Sequence, residues 1–187
     1  MSVKNTENQY GILAKFFHWG LFFVFVALYF TAISMVDMAD GPDKYEYYGL
    51  HKSFGALALF LVGLRLVWRS INSTPETLND DEPAIVKKAA HGMHVALYIL
   101  MFAVPLGGIV MSQSGGYGIP FFGLFELPTV FAKNETLFDL VHNAHGWFGY
   151  ALLTLVGGHI AAALWHHLIK KDNVLKAMAP FAKPTKA

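Results

Sequence analysis

Four apolar stretches, at residues 13–35, 50–70, 90–112 and 143–169, decide most of what this chain can become. Each is as long as the ~20 helical residues that cross a hydrocarbon core. In lipid the backbone must satisfy its own polar groups, so a segment of this length becomes a helix. The expected fold class is all-α: one domain over residues 1–187, an integral membrane four-helix transmembrane bundle. Hydrophobic residues make up 55% of the chain and the mean hydropathy is +0.41, too apolar for an ordinary soluble domain. The first stretch, LAKFFHWGLFFVFVALYFTAISM, holds no acid and one lysine near its start. It is longer than a leader's apolar core and no small-x-small site follows, so it reads as a retained helix.

The connections change composition abruptly. Residues 37–49, DMADGPDKYEYYG, read as an acidic loop with a Gly-Pro turn, and residues 71–88 as a polar loop. Residues 113–142 form a longer connection. Its apolar piece YGIPFFGLFELPTVF, broken by two prolines, fits either the membrane interface or a partly buried loop. With four crossings, both termini share a side with the 71–88 connection. That side carries eleven Lys and Arg residues (Lys4, Lys15, Arg65, Arg69, Lys87, Lys88, Lys170, Lys171, Lys176, Lys183 and Lys186), against Lys44, Lys52 and Lys133 on the other. The asymmetry predicts a multi-pass protein, embedded in lipid, with both termini cytoplasmic.

A net charge of +1 gives no electrostatic pull toward nucleic acid, and none is expected as a partner. The chain has no cysteine, which removes disulfides, iron–sulfur clusters, thiolate zinc sites and covalent c-type haem attachment. A cofactor must then be held by N or O ligands, and nine histidines are present. Five of them fall in or beside VHNAHGWFGYALLTLVGGHIAAALWHH. Ionisable residues in such runs point to function by default.

Depth sorts these histidines. His18 lies early in the first helix, near the cytoplasmic side. His51 opens the second helix at the outer side, and His145 lies near the outer end of the fourth. His159 follows His145 by fourteen residues, which is about 21 Å and nearly four whole turns, so both rings point the same way. The result is an outer pair, His51 and His145, and an inner pair, His18 and His159. Two facing imidazoles can ligate one haem iron axially, so the expected cofactors are two haem b groups, stacked as an electron route across the bilayer. A single histidine in a helix is more often a hydrogen-bonded structural residue. Catalytic zinc needs three ligands at one level, and here they are split between two. Gly55, Gly63, Gly107, Gly108, Gly149, Gly157 and Gly158 either clear room for porphyrins or let helices pack closely. Arg65, fourteen residues after His51, either pairs with an inner haem propionate or serves as a positive-inside anchor. Arg69 reads as an anchor.

The segments KFFHWGLFF, GLHKSFGALALFLVGLRLVWR, HGMHVALYILMFAVPLGGIVMS, AHGWFGYALLTLVGGHIAAALWHH and KDNVLKAMAP together resemble the bacterial cytochrome b561 family. The resemblance runs from about residue 10 to residue 180 and extends to the small four-helix members, the superoxide oxidase type among them. It implies the same four ligands, His18, His51, His145 and His159. It also implies that superoxide is oxidised at the outer haem and that ubiquinone is reduced through the inner one. Lys52, beside His51, is then the candidate for attracting superoxide, although Asp37, Asp40, Asp43 and Glu46 make the adjoining loop acidic. His94 and His166, near the inner level, are candidates for the quinone site, with interfacial polar residues as the plainer reading. Two other functional classes are a membrane electron-transfer subunit that links the quinone pool to a dehydrogenase or another redox partner, and a haem-free four-helix membrane protein, which the paired histidines disfavour.

Overall fold

The computed structural model describes residues 2–75 and 82–182. Lys183 and Lys186, counted above for orientation, lie outside the described residues, as does part of the 71–88 connection. Four long helices dominate: α1 (Ile12–Asp37), α2 (Pro42–Ser70), α3 (Ala84–Ser114) and α4 (Glu135–Trp165). A π-helical turn, His166–Lys170, extends α4, and a short α5 (Val174–Met178) follows. All four long helices, α4 taken with its π turn, are long and apolar enough to cross a membrane. Large side chains such as Phe16, Phe23, Phe30 and Phe60 are exposed along them, as a lipid-facing surface requires.

The helices outrun the apolar stretches that announce them. The acidic 37–49 segment is a loop only as far as Gly41. Pro42 occupies the first turn of α2, where its missing N–H costs nothing, and Asp43 follows at the positive end of the helix dipole. Lys44 pairs with Asp40 at 2.9 Å across the junction. At α4 the Asn134 side chain caps the helix by accepting the Leu137 N–H at 3.0 Å, so the helix begins well before the apolar run at 143.

The long connection after α3 contains a small antiparallel hairpin, β1 (Pro120–Phe121) with β2 (Phe125–Glu126), pairing Pro120 with Glu126 and Phe121 with Phe125. Phe122 and Gly123 reverse the chain with φ of 50° and 73°. Two polar residues hold this segment down. The Ser53 Oγ lies 2.8 Å from the Gly49 carbonyl and 2.9 Å from that of Pro120, and accepts the Phe122 N–H at 3.0 Å. Buried Gln113 donates to the Pro128 carbonyl and accepts the N–H groups of Val130 and Phe131. Ile119 turns inward, 2% exposed, while Leu124 points out at 77%. The connection is therefore anchored on its inner side and open on its outer one.

Packing around the bundle is uneven. α1 packs on α2, α2 on α3 and α3 on α4. α4 meets α1 and α2 chiefly through side chains, for example Tyr29, whose hydroxyl donates to the Gly149 carbonyl at 2.6 Å. Both termini gather at one end. The Tyr10 N–H reaches the Ala177 carbonyl at 3.3 Å, the Trp19 indole donates to Met178 at 3.1 Å, and Asn5 donates to the Ser73 carbonyl at 2.6 Å.

Candidate haem and electron-transfer site

Across the space between α4 and its two side-chain-bridged neighbours, the structure brings together both expected histidine pairs. The His51 and His145 rings lie 6.3 Å apart, centroid to centroid. Those of His18 and His159 lie 6.2 Å apart at the end that carries the termini. A metal–imidazole bond of about 2 Å on each side, plus the half-width of each ring, sets two axial imidazoles about 6 Å apart. Both separations match one metal between two rings.

The outer pair is also held in the right tautomer. His51 Nδ1 lies 3.1 Å from the Leu28 carbonyl and 3.1 Å from the Thr31 hydroxyl. His145 Nδ1 lies 3.0 Å from the Val104 carbonyl. A carbonyl only accepts, so each Nδ1 carries the proton and each Nε2 keeps its lone pair for a metal. A Cβ at Gly108 would come within 3.1 Å of His145 Cε1, so glycine there admits the ring. Gly55 and Gly149 follow His51 and His145 by one turn. A Cβ at either would meet no atom within 4 Å, which is the clearance a flat macrocycle needs.

At the inner level Arg65, as its spacing predicts, lies beside the pair, with Nη2 3.2 Å from His18 Nδ1. Arginine only donates, so this contact places the His18 proton on Nε2. Metal ligation through His18 Nε2 requires the guanidinium to turn away. Arg65 and Arg69 both lie over the Tyr98 ring, at 5.4 and 5.5 Å. Neither has a carboxylate partner among the described residues. Tyr10, just ahead of α1, lies close enough to feel both arginines. Burial raises its phenol above the ordinary value while Arg69 pulls it down. Arg69, read from sequence as a plain anchor, is thus part of the same cationic cluster.

His94 packs edge-on against His159 at 5.3 Å, closer than either facing pair. His166 is placed differently, with its Nδ1 2.5 Å from Asp172 Oδ2. Lys52 donates to the Gly118 carbonyl at 3.1 Å and sits over the Tyr117 ring at 5.3 Å. The Glu126 carboxylate packs against the same Gly118. Those contacts come from the hairpin region, which sequence spacing could not place near α2.

The family model for prokaryotic cytochrome b561 matches residues 9–181. Cytochrome b561 homolog 2 of Escherichia coli (strain K12) is 32% identical over 179 residues, covering 95% of each chain. The chain belongs to the prokaryotic cytochrome b561 family. Homolog 1 from the same organism is 31% identical, over 94% of this chain and 99% of its own. A Yersinia pestis protein named probable superoxide oxidase CybB is 30% identical, over 93% of this chain and 97% of its own. This b561 protein is therefore a membrane redox protein of a haem b family, an inner-membrane electron carrier with four spanning helices.

Proposed function

We propose that this cytochrome b561 holds two haem b groups, one between His51 and His145 and one between His18 and His159. Through them it conducts electrons from superoxide at the outer face to ubiquinone at the inner face, with both termini cytoplasmic. The observation that carries the reading is the pair of matched imidazole couples, each spaced for one metal and set at opposite ends of the bundle. The bound haems would supply reversible one-electron transfer. Two histidines would hold each haem, and each haem would exchange electrons with its substrates by outer-sphere transfer.

The chain's own residues do the rest. Leu28, Thr31 and Val104 fix the outer imidazoles in the Nδ1–H form and add basicity to Nε2. Arg65 and Arg69 offer two guanidiniums to the propionates of the inner haem, which would draw Arg65 off His18. Lys52 supplies positive charge beside His51 for an approaching anion. His94 and His166 are assigned to the quinone, as hydrogen-bond donor and proton source. Superoxide is charged and crosses a low-dielectric core poorly. A transmembrane electron path takes its electron and leaves neutral dioxygen at the outer face.

One observation favours the second reading, an electron-transfer subunit for a protein partner. Lys52 is already engaged by Gly118 and Tyr117, with Glu126 close by, and so is not a free anion trap. A single experiment separates the two. Purified haem-loaded protein is given a superoxide-generating system and a ubiquinone analogue, and quinol is measured. Quinol formation abolished by superoxide dismutase supports the superoxide route. Haem that stays oxidised in the presence of superoxide sinks it in favour of a protein donor.

A further inference from the structure

Away from the four proposed ligands, a second group of chemistry-bearing side chains closes on itself at the end that carries both termini. Glu82 lies just ahead of α3, His166 opens the π turn after α4, and Asp172 follows that turn. One potential ligand atom from each lies within 4.8 Å of the other two. Their side chains are withdrawn from solvent, at 6, 13 and 4% exposed. Two carboxylates brought together out of water need positive charge to hold them there. The Lys170 ammonium, 2.8 Å from Glu82, answers one of them. With His166 neutral, the group still carries one negative charge in excess.

The backbone is shaped to make this group. α-Helical hydrogen bonding gives way to a π turn at His166–Lys170, and Lys171 takes the left-handed conformation with φ of 56°. The chain then bends back, so that the Asp172 N–H returns to the His166 carbonyl at 3.3 Å. Asp172 Oδ1 accepts the Val174 N–H at 3.0 Å, which fixes the carboxylate with Oδ2 toward His166. Single π turns within α-helices are frequent at functional sites, and an αL residue with a long side chain carries a cost that the site must offset.

We propose that Glu82, His166 and Asp172 bind a divalent transition-metal ion, of which zinc is the type. One imidazole and two carboxylates are a donor set that Zn²⁺ accepts. The imidazole distinguishes the site from the all-oxygen shells of calcium and magnesium. The incoming dication takes the place of the Lys170 ammonium, which is 46% exposed and can swing to water on its long stem. The bound ion ties the lead-in of α3 to the exit of α4. Metal binding and proton supply to quinone are competing uses of His166, so the test reads binding directly rather than turnover.

The haem-loaded protein is washed with chelator, dialysed against graded free Zn²⁺ and assayed for zinc per chain by mass spectrometry. One saturable zinc per chain is expected. His166→Gln, Asp172→Asn and Glu82→Gln should each weaken it by about tenfold or more, the loss of one ligand's share of the binding energy. His142→Gln, on the exposed face of α4, should leave it intact. Lys170→Gln should tighten it by removing the competing cation. The visible spectrum of each variant checks that the bundle has formed. Absence of saturable zinc, equal zinc retention in the folded Asp172→Asn and Glu82→Gln variants, or weaker binding in Lys170→Gln would each overturn the proposal.

Discussion

A β-carbon at Gly108 would stand 3.1 Å from Cε1 of His145. A methyl there would make the ring give way by a few tenths of an ångström, while His145 Nδ1 is tied to the Val104 carbonyl on the same helix. Gly108→Ala should push the imidazole out of register. The expected result is loss of the outer haem with the inner one retained, and destabilisation of about 1–3 kcal/mol, the usual cost of overpacking a filled site. Haem per chain by pyridine haemochrome, with thermal unfolding alongside, measures both.

Removing a ligand should separate the two levels. His51→Ala is expected to lower the ratio from about two haems per chain to about one and to leave the inner bis-histidine signal, since one pair supplies one iron's axial ligands. His18→Ala should leave the outer signal instead. Electron paramagnetic resonance of the oxidised variants distinguishes the two. If one substitution erased both signals, the pairs would not be independent.

At the inner level, two cations without carboxylate partners among the described residues predict a shared role. Arg65→Gln and Arg69→Gln should each lower the midpoint potential of the inner haem, since each removes positive charge near its iron. The double substitution should shift it further. Redox titration followed optically reads this directly. Unchanged potentials would return Arg69 to the role of a membrane anchor and Arg65 to that of a partner for His18.

Lys52→Glu reverses the charge beside the outer pair. If superoxide is the donor, haem reduction should slow, and added salt should narrow the gap between variant and parent, because long-range steering of an anion is screened over about 8–10 Å at physiological ionic strength. Stopped-flow reduction at two salt concentrations tests this. Equal rates in both proteins would remove Lys52 from the steering role.

Much of this arrangement could be read before any fold was known. Fourteen residues from His145 to His159, and fourteen from His51 to Arg65, set same-face neighbours at two depths because both steps run along uninterrupted helices. What sequence could not supply were the partners. Leu28 and Val104 contribute main-chain carbonyls, which no residue pattern marks. The start of α2 was hidden because Asp43 and Glu46 look like loop residues by polarity, yet Gly41-Pro42 is a helix entry by geometry. The hairpin at Pro120–Glu126 is too short for a periodic signal and depends on Ser53, far away in sequence. Glu82 meets His166 and Asp172 only because α3 and α4 are antiparallel neighbours.

The standing-off of α4 from α1 and α2 has a consequence for how the protein is made. Two helical hairpins, α1 with α2 and α3 with α4, come out of the insertion machinery each able to satisfy its own backbone. What joins them across the open side is a handful of side chains, and four of these are the imidazoles. Closure of the molecule is then a late event, timed by the supply of the prosthetic group rather than by translation. A cell starved of haem should accumulate chains whose α2–α3 seam has packed but whose α4 has not closed on α1 and α2, and its quality-control proteases would meet them in that state. Abundance of this cytochrome would then follow haem supply even when its message does not change.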